Sequence, residues 1–103
     1  MDLLPVIKAL SNETRFNILE WLKNPDENFS PQFHMPKDCD FARSVCVGSI
    51  SEKTGLAQSV VSGYLVKLQH AGLLQSRRIG QWTYYRRDEE GIKRFIAAIQ
   101  REL

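Results

Sequence analysis

The sequence predicts an α+β chain, mainly helical, in which two helices joined at a glycine are followed by a two-stranded β-hairpin and a last helix. Three observations carry that expectation. Apolar residues recur at helical spacing on both sides of Gly55, and Gly72 follows the second of these stretches. Two short runs, LLQSRR and WTYYRR, flank Ile79-Gly80-Gln81 as strands around a glycine turn. From Lys53 to Arg87 the chain has six basic residues and no Asp or Glu, so the rest carries −4 beneath a total of only +2.

Taken in order, Leu3, Leu4, Ile7 and Leu10 repeat at helical spacing, with Pro5 tolerated in the first turn of a first helix. Ser11 or Asn12 offers a cap for a second helix. Phe16, Leu19 and Leu22 lie on one stripe of it, Ile18 and Trp21 widen that face, and Asn24-Pro25 ends it. Residues 24–45 form an insert with Pro25, Pro31 and Pro36, read as a long and mobile loop. Helical spacing returns at Val47, Ile50 and Lys53-Thr54 and stops at Gly55. Gln58–His70 reads as the next helix, with Val61, Leu65 and Leu68 on its buried stripe. Asp88 caps the last helix, with Glu89 and Glu90 at its positive end, and Ile92, Phe95, Ile96, Ile99 and Leu103 form its apolar stripe. The expected organisation is one domain over 1–103. It comprises the insert at 24–45, a helix-turn-helix at 46–72, a wing at 73–87 and a C-terminal dimerisation helix at 88–103.

The totals exclude several classes. At 103 residues, with 43% hydrophobic and 25% charged residues, the chain has the make-up of one small globular domain. It has no apolar run of membrane-spanning length, and MDLLPVIKAL lacks the basic start and cleavage site of a signal peptide. A cytoplasmic protein with no membrane partner is expected, and its two cysteines suggest no disulfide framework. Enzyme readings fail for lack of parts: there is no glycine-rich phosphate loop, nucleophile elbow or HExxH, and no cofactor is expected.

A helix-turn-helix places its second helix in the major groove of double-stranded DNA. The N-terminal and outward positions of that helix are Gln58, Ser59, Ser62, Gly63, Tyr64 and Lys67, short or polar and none acidic. An ordinary surface helix pair would also fit them. The hairpin shifts the balance, because Arg77, Arg78, Arg86 and Arg87 surround a narrow tip, and a wing of that kind can lie along the sugar-phosphate backbone. Arg77, Arg78 and Gln81 are assigned to the wing contact. The rival of another class is a winged helix serving as a protein-interaction module, which needs no basic face. Trp82, Tyr84 and Tyr85 could stack on bases, but Tyr85 is assigned to the core. His70 is a partner for the helix C-terminus or a phosphate neighbour.

ALSNETRFNILEWL resembles the second-helix signature of the ArsR/SmtB (arsenic-repressor-type) winged helix-turn-helix regulators. VGSISEKTGLAQSVVSGYLVKLQHAGLLQSRRIGQWTYYRR is similar to that family's core along its whole length. The resemblance covers the chain except the Pro-rich insert. It implies a homodimer joined mainly through the first and last helices, acting as a transcriptional repressor at a palindromic operator. Leu3, Leu4 and Ile7 on the first helix and Phe95, Ile96 and Ile99 on the last supply the apolar surface for that contact. The departures concern readout and sensing. Many members have two adjacent histidines where this chain has Gly63 and Tyr64, and Ala57 stands where a Ser cap is usual. The family's Cys-x-Cys metal site here reads Cys46-Val47-Gly48, and residues 91–103 hold no His and only Glu102 as an acid. Both standard metal sites are dismantled, and no metal is expected.

That leaves HMPKDCDFARSVCVG, which contains both cysteines. His34, Asp38, Cys39 and Asp40 match no metal-site spacing. Cys39 and Cys46, with six residues between them, are a candidate redox pair in a thiol-based or metal-sensing version of the same repressor. The simpler account makes Cys46 a small half-buried residue at a helix start and Cys39 an incidental loop residue.

Overall fold

A computed structural model describes the chain except for Met1, Phe33, His34 and residues 37–39. Helix α1 (Leu3–Leu10) and helix α2 (Glu13–Trp21) meet at Asn12, whose side chain accepts the Arg15 N–H at 3.0 Å and satisfies a donor at the start of α2. Arg15 then reaches back, its Nε donating to the Ala9 carbonyl at 2.7 Å. Ile18, Leu19 and Leu22 are buried, but Phe16, expected on the same stripe, is 46% exposed. The inward face of α2 is centred on Ile18.

Pro25 does more than end α2. It opens a one-turn helix, α3 (Pro25–Asn28), at a position where its missing N–H costs nothing. The Asn28 Nδ2 donates to the carbonyls of Asn24 at 2.9 Å and Trp21 at 3.2 Å, closing that turn. The far end of the insert also has structure. Strand β1 (Val45–Cys46) pairs antiparallel with strand β3 (Trp82–Arg87), Val45 opposite Tyr85 and Cys46 opposite Tyr84. With strand β2 (Leu74–Ile79) the sheet is therefore three-stranded, in the order β1-β3-β2. The expected hairpin is present, and the insert adds a third strand to it. Phe41 is 3% exposed, so the end of the insert is anchored rather than loose, contrary to the expectation of a mobile loop.

Helix α4 (Val47–Thr54) ends at Gly55, whose φ of 75° is the left-handed conformation that glycine adopts without strain. Helix α5 (Gln58–His70) buries Val61, Leu65 and Leu68 completely, in one cluster with Ile18, Ile50 and Tyr85. β2 and β3 pair from Leu74↔Arg87 to Ile79↔Trp82, which leaves a two-residue loop, Gly80-Gln81. Successive residues of β3 face opposite sides of the sheet. Tyr85 enters the main core as expected, and Tyr84 is fully buried on the other side with Phe41 and Cys46.

Helix α6 (Glu89–Glu102) is capped by Asp88, whose Oδ1 accepts the Gly91 N–H at 2.9 Å. Its start lies directly on the turn after α5: a Cβ on Gly91 would stand 1.8 Å from the Gly72 carbonyl oxygen. α1 packs against α6. Leu4 and Ile7 on α1, and Ile96 at 50% on α6, stay exposed. Of the other residues expected at a subunit contact, Leu3 and Ile99 are half-buried. Phe95 is buried in the subunit's own core, because its position on α6 faces inward beside Ala98. Among the described residues no helix is long and apolar enough to cross a membrane.

Candidate nucleic-acid interface

The helix-turn-helix is α4, Gly55 and α5. Burial of Val61, Leu65 and Leu68 fixes the rotation of α5, so the opposite face must point outward. Gln58, Ser59, Gly63 and Lys67 are exposed, and Ser62 is half-buried at the edge of the face. Nothing lies within 4 Å of where a Gly63 Cβ would stand, so the middle of this face is bare backbone that another surface can approach closely. Ala57 supplies no side-chain cap, so among the described residues the first N–H groups of α5 have no side-chain acceptor. Tyr64 is less available than expected. It is half-buried, and the Arg15 guanidinium lies 5.2 Å from its ring centroid, tying α5 to the start of α2.

Two residues on this face escaped the sequence reading. Val60 and Val66 are exposed beside Ser59, Gly63 and Lys67. The signal was available: each is an apolar residue out of phase with Val61, Leu65 and Leu68. An exposed methyl-bearing side chain on such a helix suits the C5-methyl of thymine.

The wing arginines separate into two groups. The strand register puts Arg86 and Arg87 at the base of the hairpin, opposite Gln75 and Leu74, and not around its tip. Arg86 donates to Gln75 Oε1 at 2.9 Å, and Arg87 donates to the Leu19 carbonyl at 3.1 Å and pairs with Glu89 at 2.9 Å. Both hold the fold together. Arg77 pairs with Asp40 and lies 4.7 Å from the Phe41 ring centroid. Arg78, opposite Thr83 nearer the tip, is exposed and has no hydrogen bond or ion pair among the described residues. Gln81 is exposed in the loop. These contacts set the local electrostatics. The hydrogen bond from Arg77 and then its charge hold the Asp40 carboxyl below its ordinary value, and Arg87 does the same for Glu89. Burial pushes the Tyr85 phenol up. On α4, the Lys53 ammonium is held 5.0 Å from the Trp21 ring and 5.9 Å from that of Phe29.

Cys46 stands at the N-cap of α4 and is buried, with its Sγ 3.2 Å from Ser49 Oγ. Its N–H donates to Gln32 Oε1 at 3.0 Å. Cys39, its expected redox partner, lies outside the described residues, as do His34 and Asp38. Among the described residues no three of His, Cys, Asp or Glu come together as a group that could hold a metal ion.

Comparison with known proteins gives one consistent pattern. The model of the "Bacterial regulatory protein, arsR family" matches residues 40–76, the end of the insert through the first half of β2. The chain is 45% identical over 103 residues, all of both chains, to the uncharacterized HTH-type transcriptional regulator YbzH of Bacillus subtilis strain 168. It is 33% identical over 82 residues to the putative arsenical resistance operon repressor ArsR2 of Halobacterium salinarum, covering 80% of this chain and 56% of that one. Among solved structures it resembles the homodimeric winged helix-turn-helix DNA-binding domain of Mb0332 from Mycobacterium bovis, a possible ArsR-family transcriptional regulator. The TM-score is 0.64 at 29% identity, over 93% of this chain and 72% of that one.

Proposed function

The chain belongs to the arsR family of bacterial regulatory proteins, and from that premise we propose that it is a dimeric repressor which reads a palindromic operator through α5 and the β2–β3 wing. Membership makes it a transcriptional regulator with a winged helix-turn-helix for DNA, which is not an enzyme class. The finer reading is carried by one observation: the outward face of α5 is free of acids, open at Gly63, and flanked by a wing whose Arg78 is exposed. Gln58, Ser59 and Ser62 present donors and acceptors to base edges, and Lys67, Arg78 and Gln81 reach the phosphates. Arg77 joins them once it leaves Asp40.

Dimerisation is supported by Leu4, Ile7 and Ile96, which leave apolar surface uncovered on the packed pair α1 and α6, and by the homodimeric state of the Mycobacterium bovis domain. A subunit this small gains from covering that surface with a second copy. Repression follows from occupancy, since a protein seated on an operator excludes what would otherwise bind there. This chain lacks the second cysteine of the family's Cys-x-Cys site and the histidines of its C-terminal site, so the proposed repressor leaves DNA in response to something other than a metal at those sites.

Mobility-shift assays on genomic fragments, with Ser62→Ala and Arg78→Ala alongside the unaltered chain, test the proposal. A sequence-dependent shift that Ser62→Ala redirects and Arg78→Ala weakens throughout is the expected result. No shift with any fragment at low salt would favour the protein-interaction role instead.

A further inference from the structure

We propose that Asp40 and Phe41, at the end of the Pro-rich insert, set the DNA affinity of the wing by holding Arg77 on an internal substitute for a DNA phosphate. The inference rests on the reading of Arg77 as a backbone contact and adds a competitor built into the same chain.

Phe41 is the anchor. It is 3% exposed and packs with Tyr84 and Cys46 on the side of the sheet away from the main core. Its ring lies within cation–π distance of two guanidinium groups, Arg86 at 4.1 Å and Arg77 at 4.7 Å. Arg86 is fixed further by Gln75 and by the Ala42 carbonyl at 3.3 Å, so turning it to DNA would cost both of these hydrogen bonds. Arg77 differs. Its ion pair with Asp40, which the buried neighbouring ring places beside it, is open to solvent.

A carboxylate offers a guanidinium the same chemistry as a phosphate, oxygen acceptors bearing negative charge. The Asp40 side chain is 83% exposed and that of Arg77 is 44% exposed. Water and incoming phosphates can therefore compete for the pair, and exposed pairs of this kind are weak enough to exchange. Two consequences follow when DNA reaches the wing. Arg77 must give up Asp40 before it takes a phosphate, and the released carboxylate stays beside the DNA backbone. Both lower affinity equally on every sequence, because neither group touches a base.

The test uses the full chain with Asp40→Asn, Arg77→Ala, Arg78→Ala and the Asp40→Asn combinations. Fluorescence anisotropy is read on an operator and on an unrelated duplex across a salt series. Asp40→Asn should tighten binding to both duplexes by roughly two- to fivefold, leave the preference between them unchanged, and steepen the log–log salt slope by up to about 0.9. The gain should vanish in the Arg77→Ala background and persist in the Arg78→Ala background. An equal gain with and without Arg77 would reduce the effect to long-range charge and overturn the proposal, as would no gain at all. If Arg77→Ala is harmless even in the Asp40→Asn background, Arg77 is no backbone contact and the underlying assignment fails instead. Melting temperatures of the single Asp40→Asn variant should match the unaltered chain, which separates affinity changes from folding.

Discussion

Removing Ser62 and removing Arg78 should damage DNA binding in different ways if, as proposed, one side chain meets base edges and the other meets phosphates. Ser62→Ala or Gln58→Ala should change which operators are preferred, by about 1–3 kcal/mol where a bidentate base contact is lost. Arg78→Ala should weaken binding to every duplex and reduce the salt slope by about 0.9, the signature of one released counterion. Competition binding over a panel of duplexes at several salt concentrations checks both. A pH effect belongs at this scale too. Arg87 holds the Glu89 carboxyl below its ordinary value of 4.5, so the folded state favours the charged form. That contribution is present above the unfolded value and is lost as the pH falls through the lower folded one. The unaltered chain should therefore lose a small increment of thermal stability below about pH 4.5 that Glu89→Gln does not lose, measured as melting temperature against pH. Single residues were unevenly legible. Tyr85 in the core followed from strand alternation. Tyr84 did not, because what buries it is Phe41 on a segment with no periodic pattern.

At the scale of elements, the start of α6 sits directly on the turn after α5, and Gly91 makes that approach possible. A methyl added there meets the backbone oxygen of Gly72 at 1.8 Å, and backbone cannot rotate aside as a side chain can. Gly91→Ala should destabilise the chain by about 1–3 kcal/mol, the usual range for overpacking, seen as a lower midpoint in urea. Gly63→Ala is the contrast. Its methyl would enter open space in the middle of a helix, so stability should rise by roughly 0.5–1 kcal/mol, while the added bulk on the outward face should lower DNA affinity. The helices around these joints were readable in the sequence. Val61, Leu65 and Leu68 mark the phase of α5, and Gly55 and Gly72 mark where the chain turns. α3 and β1 were not readable, since four residues and two residues are too short to show a period. The roles of Arg86 and Arg87 were misread because they depend on strand register. Charge alone put them near the tip, whereas pairing opposite Gln75 and Leu74 puts them at the base.

The whole molecule is a monomer-sized core with apolar side chains left on α1, α2 and α6, and a basic stretch, Lys53 to Arg87, whose charge is balanced elsewhere in the chain. Ile96→Glu should abolish the dimer in sedimentation at micromolar concentration. It should leave the subunit folded, because half of Ile96 is exposed in the single chain, and should weaken operator binding far more than Arg78→Ala does. Two-fold pairing through α1 and α6 would set the two α5 helices roughly 34–36 Å apart, one turn of DNA. The most direct test of the account is selection of bound duplexes from a random-sequence pool by the full chain, followed by sequencing. The account predicts an enriched inverted repeat with half-site centres about 10–10.5 base pairs apart or a multiple of that. Enrichment of a lone asymmetric site, or of no sequence at all, would contradict it.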